Sequence, residues 1–351
     1  MYFCKLLGFI MRYLILLLYL VFLSSCVKDK PQNPTHSSFQ LTTAKKVYII
    51  NEGNYGVNNS SISLYDSGNN HVVDDYFQNQ NSSALGDVAQ SMNYFNSNYF
   101  IVVNNSGKIV VCNSQFKKTG QITGLTSPRY FLPITIQKAY VSDLYANAIS
   151  IVDLNTNTKT ASIPCSGWTE QMTLIYNKAF VANLKSNYLY VINTITDVLV
   201  DSIHIGKNAN SLGLDRNAKL WVLNEGDKTN SVLGKLSRIN PTNNQTEFSV
   251  NFTSNDAPSN LCFNKTKDTI YYLNNGVFRV SINSTTLPHN AFIAQGNKNF
   301  YGIGLNTNDF TLFVSDALDY VSKSVVYIYD SNGNEKRHFN AGLISNGFFF
   351  E

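Results

Sequence analysis

Three short patterns, interleaved and each repeated seven times, constrain this chain more than any other feature. The first runs apolar, usually aromatic, apolar, any residue, then Asn or Asp. It appears as VYIIN ending at Asn51, FIVVN at Asn104, AYVSD at Asp143, AFVAN at Asn183, LWVLN at Asn224, IYYLN at Asn274 and LFVSD at Asp316. A second series follows each of these: SISLYD, KIVVCN, AISIVD, YLYVIN, KLSRIN, FRVSIN and VVYIYD. A third precedes the next unit: DVAQSMNYF, SPRYFLPIT, WTEQMTLIY, NANSLGLDR, APSNLCFNK, NFYGIGLNT and finally ISNGFFF. Each is an alternating, β-branched and aromatic run closed by turn residues, which is how a strand reads. No segment keeps a helical period over several turns.

Three interleaved series of seven are not what independent hairpins in a sandwich would give. Units of roughly 40–45 residues, each with three clear strands and a weaker fourth, describe the blades of a propeller. The third series supplies the innermost strand A, the first supplies B, and the second supplies C. Weaker segments such as HVVDDYF and KTASIPC supply D. The expected fold is therefore all-β, a seven-bladed β-propeller of four-stranded antiparallel blades. The first unit opens with a B strand at Lys46, and the last pattern in the chain is an A strand. The C-terminal strand should then complete the N-terminal blade, closing the ring and removing its open edges.

Before that ring come two segments of other character. Lys5 and Arg12 precede an apolar run from Tyr13 to Leu23, which ends in Leu23-Ser24-Ser25-Cys26. A basic start, a short apolar core and small residues before the cut make residues 1–25 a secretory signal. The Leu-Ser-Ser-Cys sequence resembles the bacterial lipoprotein box, which implies lipidation of Cys26. Residues 26–45, with two prolines and many small polar residues, read as a flexible tether, and residues 46–351 as the propeller. Val27-Lys28-Asp29-Lys30 resembles the surface-export signal of Bacteroidota lipoproteins. The expected location is the outer membrane, lipid-anchored and surface-exposed, with the folded part outside the bilayer.

The AYVSD–AISIVD and AFVAN–YLYVIN rhythm resembles the YncE-like seven-bladed propellers. Together with the lipoprotein box and the NEG sequence repeated at 51–53 and 224–226, it is similar to the surface cobalamin-binding propeller lipoproteins of the Bacteroidota. That resemblance implies capture of a small molecule, cobalamin (vitamin B12), for an outer-membrane transporter. An adhesion or scaffold propeller binding protein or glycan is the alternative, with a propeller hydrolase or dehydrogenase behind it.

Strand direction selects the residues that meet a ligand. If B returns to the face from which A starts, the B–C and D–A connections share one mouth of the central channel, where loops can vary without disturbing the sheets. The D–A loops carry Arg129, Tyr130, Trp168, Glu170, Gln171, Asn208, Asn210, Asp256, Asn260, Phe300 and Tyr301. The B–C loops carry Glu52, Tyr55, Asp143, Tyr145, Asn183, Lys185, Glu225, Asp227, Asp316 and Tyr320. Glu52, Tyr55, Arg129, Tyr130, Asp143, Trp168, Glu170, Asn183, Asn224, Glu225, Asn260, Tyr301 and Asp316 are the candidate ligand-binding residues. Amides, carboxylates and aromatic faces in that mixture suit a rigid, amide-rich molecule or a carbohydrate. Asn51 and Asn224 are also expected to hold the B–C turns through side-chain bonds to backbone.

Other chemistries find little support. The five histidines are scattered, and neither a metal-ligand spacing nor a Gly-x-Ser-x-Gly elbow occurs. The reading is therefore non-enzymatic, with no cofactor and no metal. Charged residues make up 14% and the net charge is +4, which argues against a nucleic-acid partner needing a concentrated basic face. Cys112, Cys165 and Cys262 lack CxxC spacing and read as buried free thiols.

Overall fold

The computed structural model describes residues 46–351. The segments read as signal and tether, with Cys26, lie outside the described residues. Twenty-eight strands form seven four-stranded antiparallel sheets, and each inner strand touches the inner strands on either side of it. The inner strands are Ala89–Phe95 (β4), Pro128–Pro133 (β8), Thr169–Ile175 (β12), Ala209–Leu214 (β16), Ser259–Phe263 (β20), Phe300–Asn306 (β24) and Ser345–Phe350 (β28). They coincide with the third sequence pattern in all seven blades. The chain is a seven-bladed β-propeller.

Closure follows the expected route. The first blade has the order β28, then Lys46–Asn51 (β1), Ser61–Asp66 (β2) and His71–Val73 (β3). Val47 faces Phe350 across the ladder, Tyr48 faces Phe349 and Ile49 faces Phe348. Two distant pieces of chain thus share one sheet.

Why the B strands carry the loudest pattern is plain from their burial. A B strand is covered by a blade on each face, so both faces must be apolar. Val47, Tyr48, Ile49 and Ile50 are all buried, as are Ala179–Ala182 and Leu220–Leu223. Each large aliphatic side chain so placed contributes about 1.5–3 kcal/mol relative to exposure. Clusters such as Phe180, Leu189, Val191, Leu212, Leu220 and Val222 lock neighbouring blades together. Between the first and second blades the contact is aromatic: Tyr48 stacks on Phe116 at 5.0 Å, and Tyr99 packs against both. The D strands face solvent and follow no such rule; Thr158–Pro164 and Val198–His204 are exposed at most positions.

The D strands are also where the structure departs from expectation. HVVDDYF is a strand only through Val73. Asp75 then takes a left-handed conformation (φ 48), and the six-residue helix α1 (Tyr76–Asn81) begins. The reason is burial: Tyr76 and Phe77 turn inward to meet Phe116, at 5.1 and 6.5 Å. FRVSIN ends as a strand at Ser281 rather than Asn283. Among the cysteines, Cys112 and Cys165 are buried, Cys262 is half-buried and all three are free, with burial pushing each thiol up to about 12.

Candidate functional site

The channel mouth is built from two rings of equivalent positions. The first ends the B strands: Asn51, Asn104, Asp143, Asn183, Asn224, Asn274 and Asp316, none more than 7% exposed. These side chains clasp the loops. Asp143 Oδ2 accepts from the N–H groups of Thr126 and Ser127 in the D–A loop, and its Oδ1 accepts from Tyr145 and Ala146 in the B–C turn. Asn183 donates to Ser166 O and accepts from Lys185 N–H, while Asp316 accepts from Asn299 and Leu318. Two expectations need correction here. Asn224 donates to Gly206 O and Lys207 O in the D–A loop, not to its own B–C turn. Asn51 bonds side chains, donating to Ser61 and Ser63 and accepting from Ser345. The incoming A-strand loop needs its polar groups paired, and the Asx residue lies nearest to it.

NEG recurs for the same structural reason. Gly53 and Gly226 hold φ +74 and +86, and a Cβ would come within 2.7 Å of Ser60 N or 2.4 Å of Val232 O. Asn and Gly are thus required by the turn. Glu52 and Glu225 are left free to do something else.

The second ring is the residue after the first position of each A strand: Gln90, Arg129, Glu170, Asn210, Asn260, Tyr301 and Asn346. At each one the ladder slips register, for example between Ala89 and Ser91 or between Phe300 and Gly302. A bulge of this kind takes a residue out of the pairing and re-aims its side chain. All seven line one cavity of about 430 Å³ at the channel mouth, joined by Glu52, Tyr130, Gln171, Ser91 and Ser259 above an apolar base that includes Ile50, Met92 and Phe348.

Charges in this cavity are arranged in an arc. Arg129 Nε meets Glu170 Oε1 at 2.8 Å, and the same guanidinium donates to Gln90 Oε1. Glu52 accepts from Asn346 Nδ2 at 2.9 Å and from the Tyr301 hydroxyl at 3.2 Å. It has no cation within ion-pair distance among the described residues. One guanidinium therefore faces two carboxylates. Burial pushes Glu170 above the usual carboxylate range, against the pull of Arg129 and with a further push from Glu52. Burial likewise raises Glu52, although Asn346, Arg129 and Tyr301 oppose it. For Arg129 burial works against the charge, but the Glu170 pair outweighs it and the guanidinium stays protonated. Burial raises Tyr130 and Tyr301, so both keep their hydroxyl protons, and Tyr301 donates its own to Glu52. Amides complete the opposite arc, where Asn210 donates to Pro258 O and Asn260 to Tyr301 O.

Of the candidate residues, Glu52, Arg129, Tyr130, Glu170, Asn260 and Tyr301 come together around this cavity. Asp143, Asn183, Asn224 and Asp316 lie in the buried clasp ring instead. Tyr55 stands 79% exposed on its loop. Trp168 is outside the cavity lining, edge-on to Tyr145 at 5.7 Å with Lys185 Nζ 4.2 Å from its ring. Glu225 is exposed beside a smaller pocket that also includes Leu233 and Gly234. Gln90 and Asn346 were missed by reasoning from loops; aligning the A strands on their first residue would have found them. The lining contains neither His nor Cys, and among the described residues no three His, Cys, Asp or Glu side chains gather as metal ligands do.

A family model described as a domain of unknown function (DUF5074) matches residues 45–350. The chain belongs to the DUF5074 family. A comparison with curated proteins finds no match. Among solved structures, this DUF5074 propeller is similar to a quinoprotein alcohol dehydrogenase-like protein from Bacteroides thetaiotaomicron, with a TM-score of 0.71, 12% identity, and coverage of 88% of this chain and 78% of that one. A protein from Lactobacillus plantarum gives 0.66 at 10% identity, covering 88% and 99%. A putative 6-phosphogluconolactonase from Bacteroides fragilis gives 0.65 at 9%, covering 89% and 99%. At such identities the likeness is one of fold.

Proposed function

We propose that this DUF5074 propeller is a binding protein which takes a small polar molecule at the channel mouth, and that the molecule is cobalamin, captured at the cell surface for an outer-membrane transporter. The observation that carries the binding reading is the bulge ring. Seven equivalent positions hold Asn, Gln, Arg, Glu, Asn, Asn and Tyr, all polar, chemically varied and turned onto one cavity. A purely structural position in a repeat would converge on one solution, as the clasp ring does. Cobalamin itself is suggested by the sequence resemblance. It exceeds the cavity, so its ring would rest across the loops with an amide arm inside, against the Asn210–Asn260 arc and Glu52. Lipid anchoring through Cys26 belongs to the same proposal.

Calorimetric titration with cobalamin tests it. Saturable binding is expected, weakened by Tyr301→Ala and unaffected by substitutions at Asn69, Asn157 and Asn243 in the C–D turns. No measurable heat or co-elution would remove cobalamin, and dependence on the C–D turns would move the site to the other face. For the anchor, Cys26→Ser should release the protein from membranes or leave it unprocessed; unchanged fractionation would refute lipidation.

A second reading has its own observation. On the same face Tyr55, Val57, Tyr145, Tyr320 and Val321 are exposed by 44–79%. Exposed aromatic and apolar loop tips suit a protein partner docking over the mouth.

A further inference from the structure

The repeat is broken once more, in the sixth blade. Its C strand, Gly276–Ser281 (β22), pairs with only two residues of its D strand, Ile293–Ala294 (β23), through Gly276 and Val277. In the third blade the same edge is paired along six positions. Residues 282–292 run where the rest of a fourth strand would lie. Beneath Leu287 and Pro288 they leave a cavity of about 430 Å³ against Val250 and Asn251, at the end of the fifth blade's outer strand.

Its walls are aromatic. Tyr272 stacks on Phe278 at 5.7 Å, and Phe252 meets Tyr272 edge-on at 5.6 Å. Tyr272 is 1% exposed, yet among the described residues its hydroxyl has no hydrogen-bond partner. Burial, then the nearby Asp256 charge, raises its pKa, so the proton stays on oxygen. Asp256 does not accept from it; its Oδ1 accepts from Asn274 Nδ2 and its Oδ2 from Thr253. The side chain is thus held almost wholly in the wall of the cavity it lines, while its hydroxyl stays available to an acceptor placed there.

We propose that this cavity is a second binding site, separate from the channel mouth. It takes a small neutral ligand bearing a six-membered ring, which lays an apolar face on the aromatic wall and gives an acceptor oxygen to the Tyr272 hydroxyl. That chemistry is shared by a pyranose sugar residue and by a phenol.

Ligand-observed NMR with methyl β-glucopyranoside and with phenol, in separate arms at millimolar concentration, tests the assignment. Binding is expected in at least one arm, and which arm responds identifies the source. Tyr272→Phe keeps the ring and removes only the donor, so it should leave the melting temperature unchanged or raised while weakening binding about tenfold, the worth of one good hydrogen bond. Leu287→Trp fills the space and should abolish the signal. No binding in either arm, wild-type affinity in Tyr272→Phe, or binding that survives Leu287→Trp would each overturn the proposal.

Discussion

The two rings at the channel mouth are close neighbours with opposite characters. The clasp ring uses Asn or Asp at every position, is buried, and spends its hydrogen bonds on loops and strands. The bulge ring uses five residue types at seven positions and turns them onto a cavity. Sameness marks what the fold needs, since every blade poses the same problem of pairing an incoming loop. Variety marks what the fold does not dictate. The Glu of NEG belongs to the second kind although it sits between two residues of the first.

The largest test of this contrast is Asp143→Ala. It strands four backbone N–H groups at a position 1% exposed, and should cost about 3 kcal/mol of unfolding free energy. Asp143→Asn should recover a good part of that, because Asn183 does the same work with an amide. A denaturation midpoint unchanged in Asp143→Ala would dissolve the distinction between the rings.

Arg129→Met comes next, as the bulge-ring substitution expected to destabilise the fold most. It leaves Glu170, 3% exposed, without its cation. Losing a buried partner is expensive, but Arg129 is partly solvated, so about 2 kcal/mol is expected. Folded Glu170 would then hold its proton more tightly than the unfolded chain does. Stability should fall as pH rises above the ordinary carboxylate value of 4.5 and recover on acidification. A variant whose stability does not respond to acid would show that Glu170 is not carrying an unpaired charge.

Smaller effects should follow around the ring. Asn260→Ala removes one bond to Tyr301 O and should cost about 1 kcal/mol in denaturation experiments. Glu52→Gln should cost nothing, or stabilise. The wild-type carboxylate is raised by burial, so its charge becomes a burden as pH climbs past 4.5. Melting curves from acid to neutral pH should therefore slope less in the variant. A marked destabilisation would move Glu52 into the structural class.

How far the sequence could be read follows the same division. The A, B and C strands were legible because blades cover them, so their residues alternate or run apolar without interruption. The D strands were legible only in part: KTASIPC does form one at Thr158–Pro164, but a solvent-facing edge tolerates the abrupt turn at Asp75 and the two-residue stub Ile293–Ala294 equally well. Loop placement brought Arg129, Glu170, Asn260 and Tyr301 into view. Gln90 and Asn346 escaped because a bulge inside a strand leaves no mark in hydrophobic period. Asp143, Asn183, Asn224 and Asp316 drew attention as polar residues at the right mouth, and their burial could not be read from type alone. Trp168 stood out by rarity, which says nothing about whether Tyr145 and Lys185 already occupy its faces.

The pairing of β1 with β28 has a consequence for how the ring is made. Val47 leaves the ribosome long before Phe350, so the first blade exists for most of synthesis as a sheet with an open inner edge. Contacts so distant in sequence delay folding, because the loop entropy is lost before the ladder repays it. Blades two to seven can stack as they emerge, each on its predecessor, while the first waits. Joining it to the last strand is the step at which a growing stack becomes a ring, and until then its unpaired edge is the place most open to pairing with another chain.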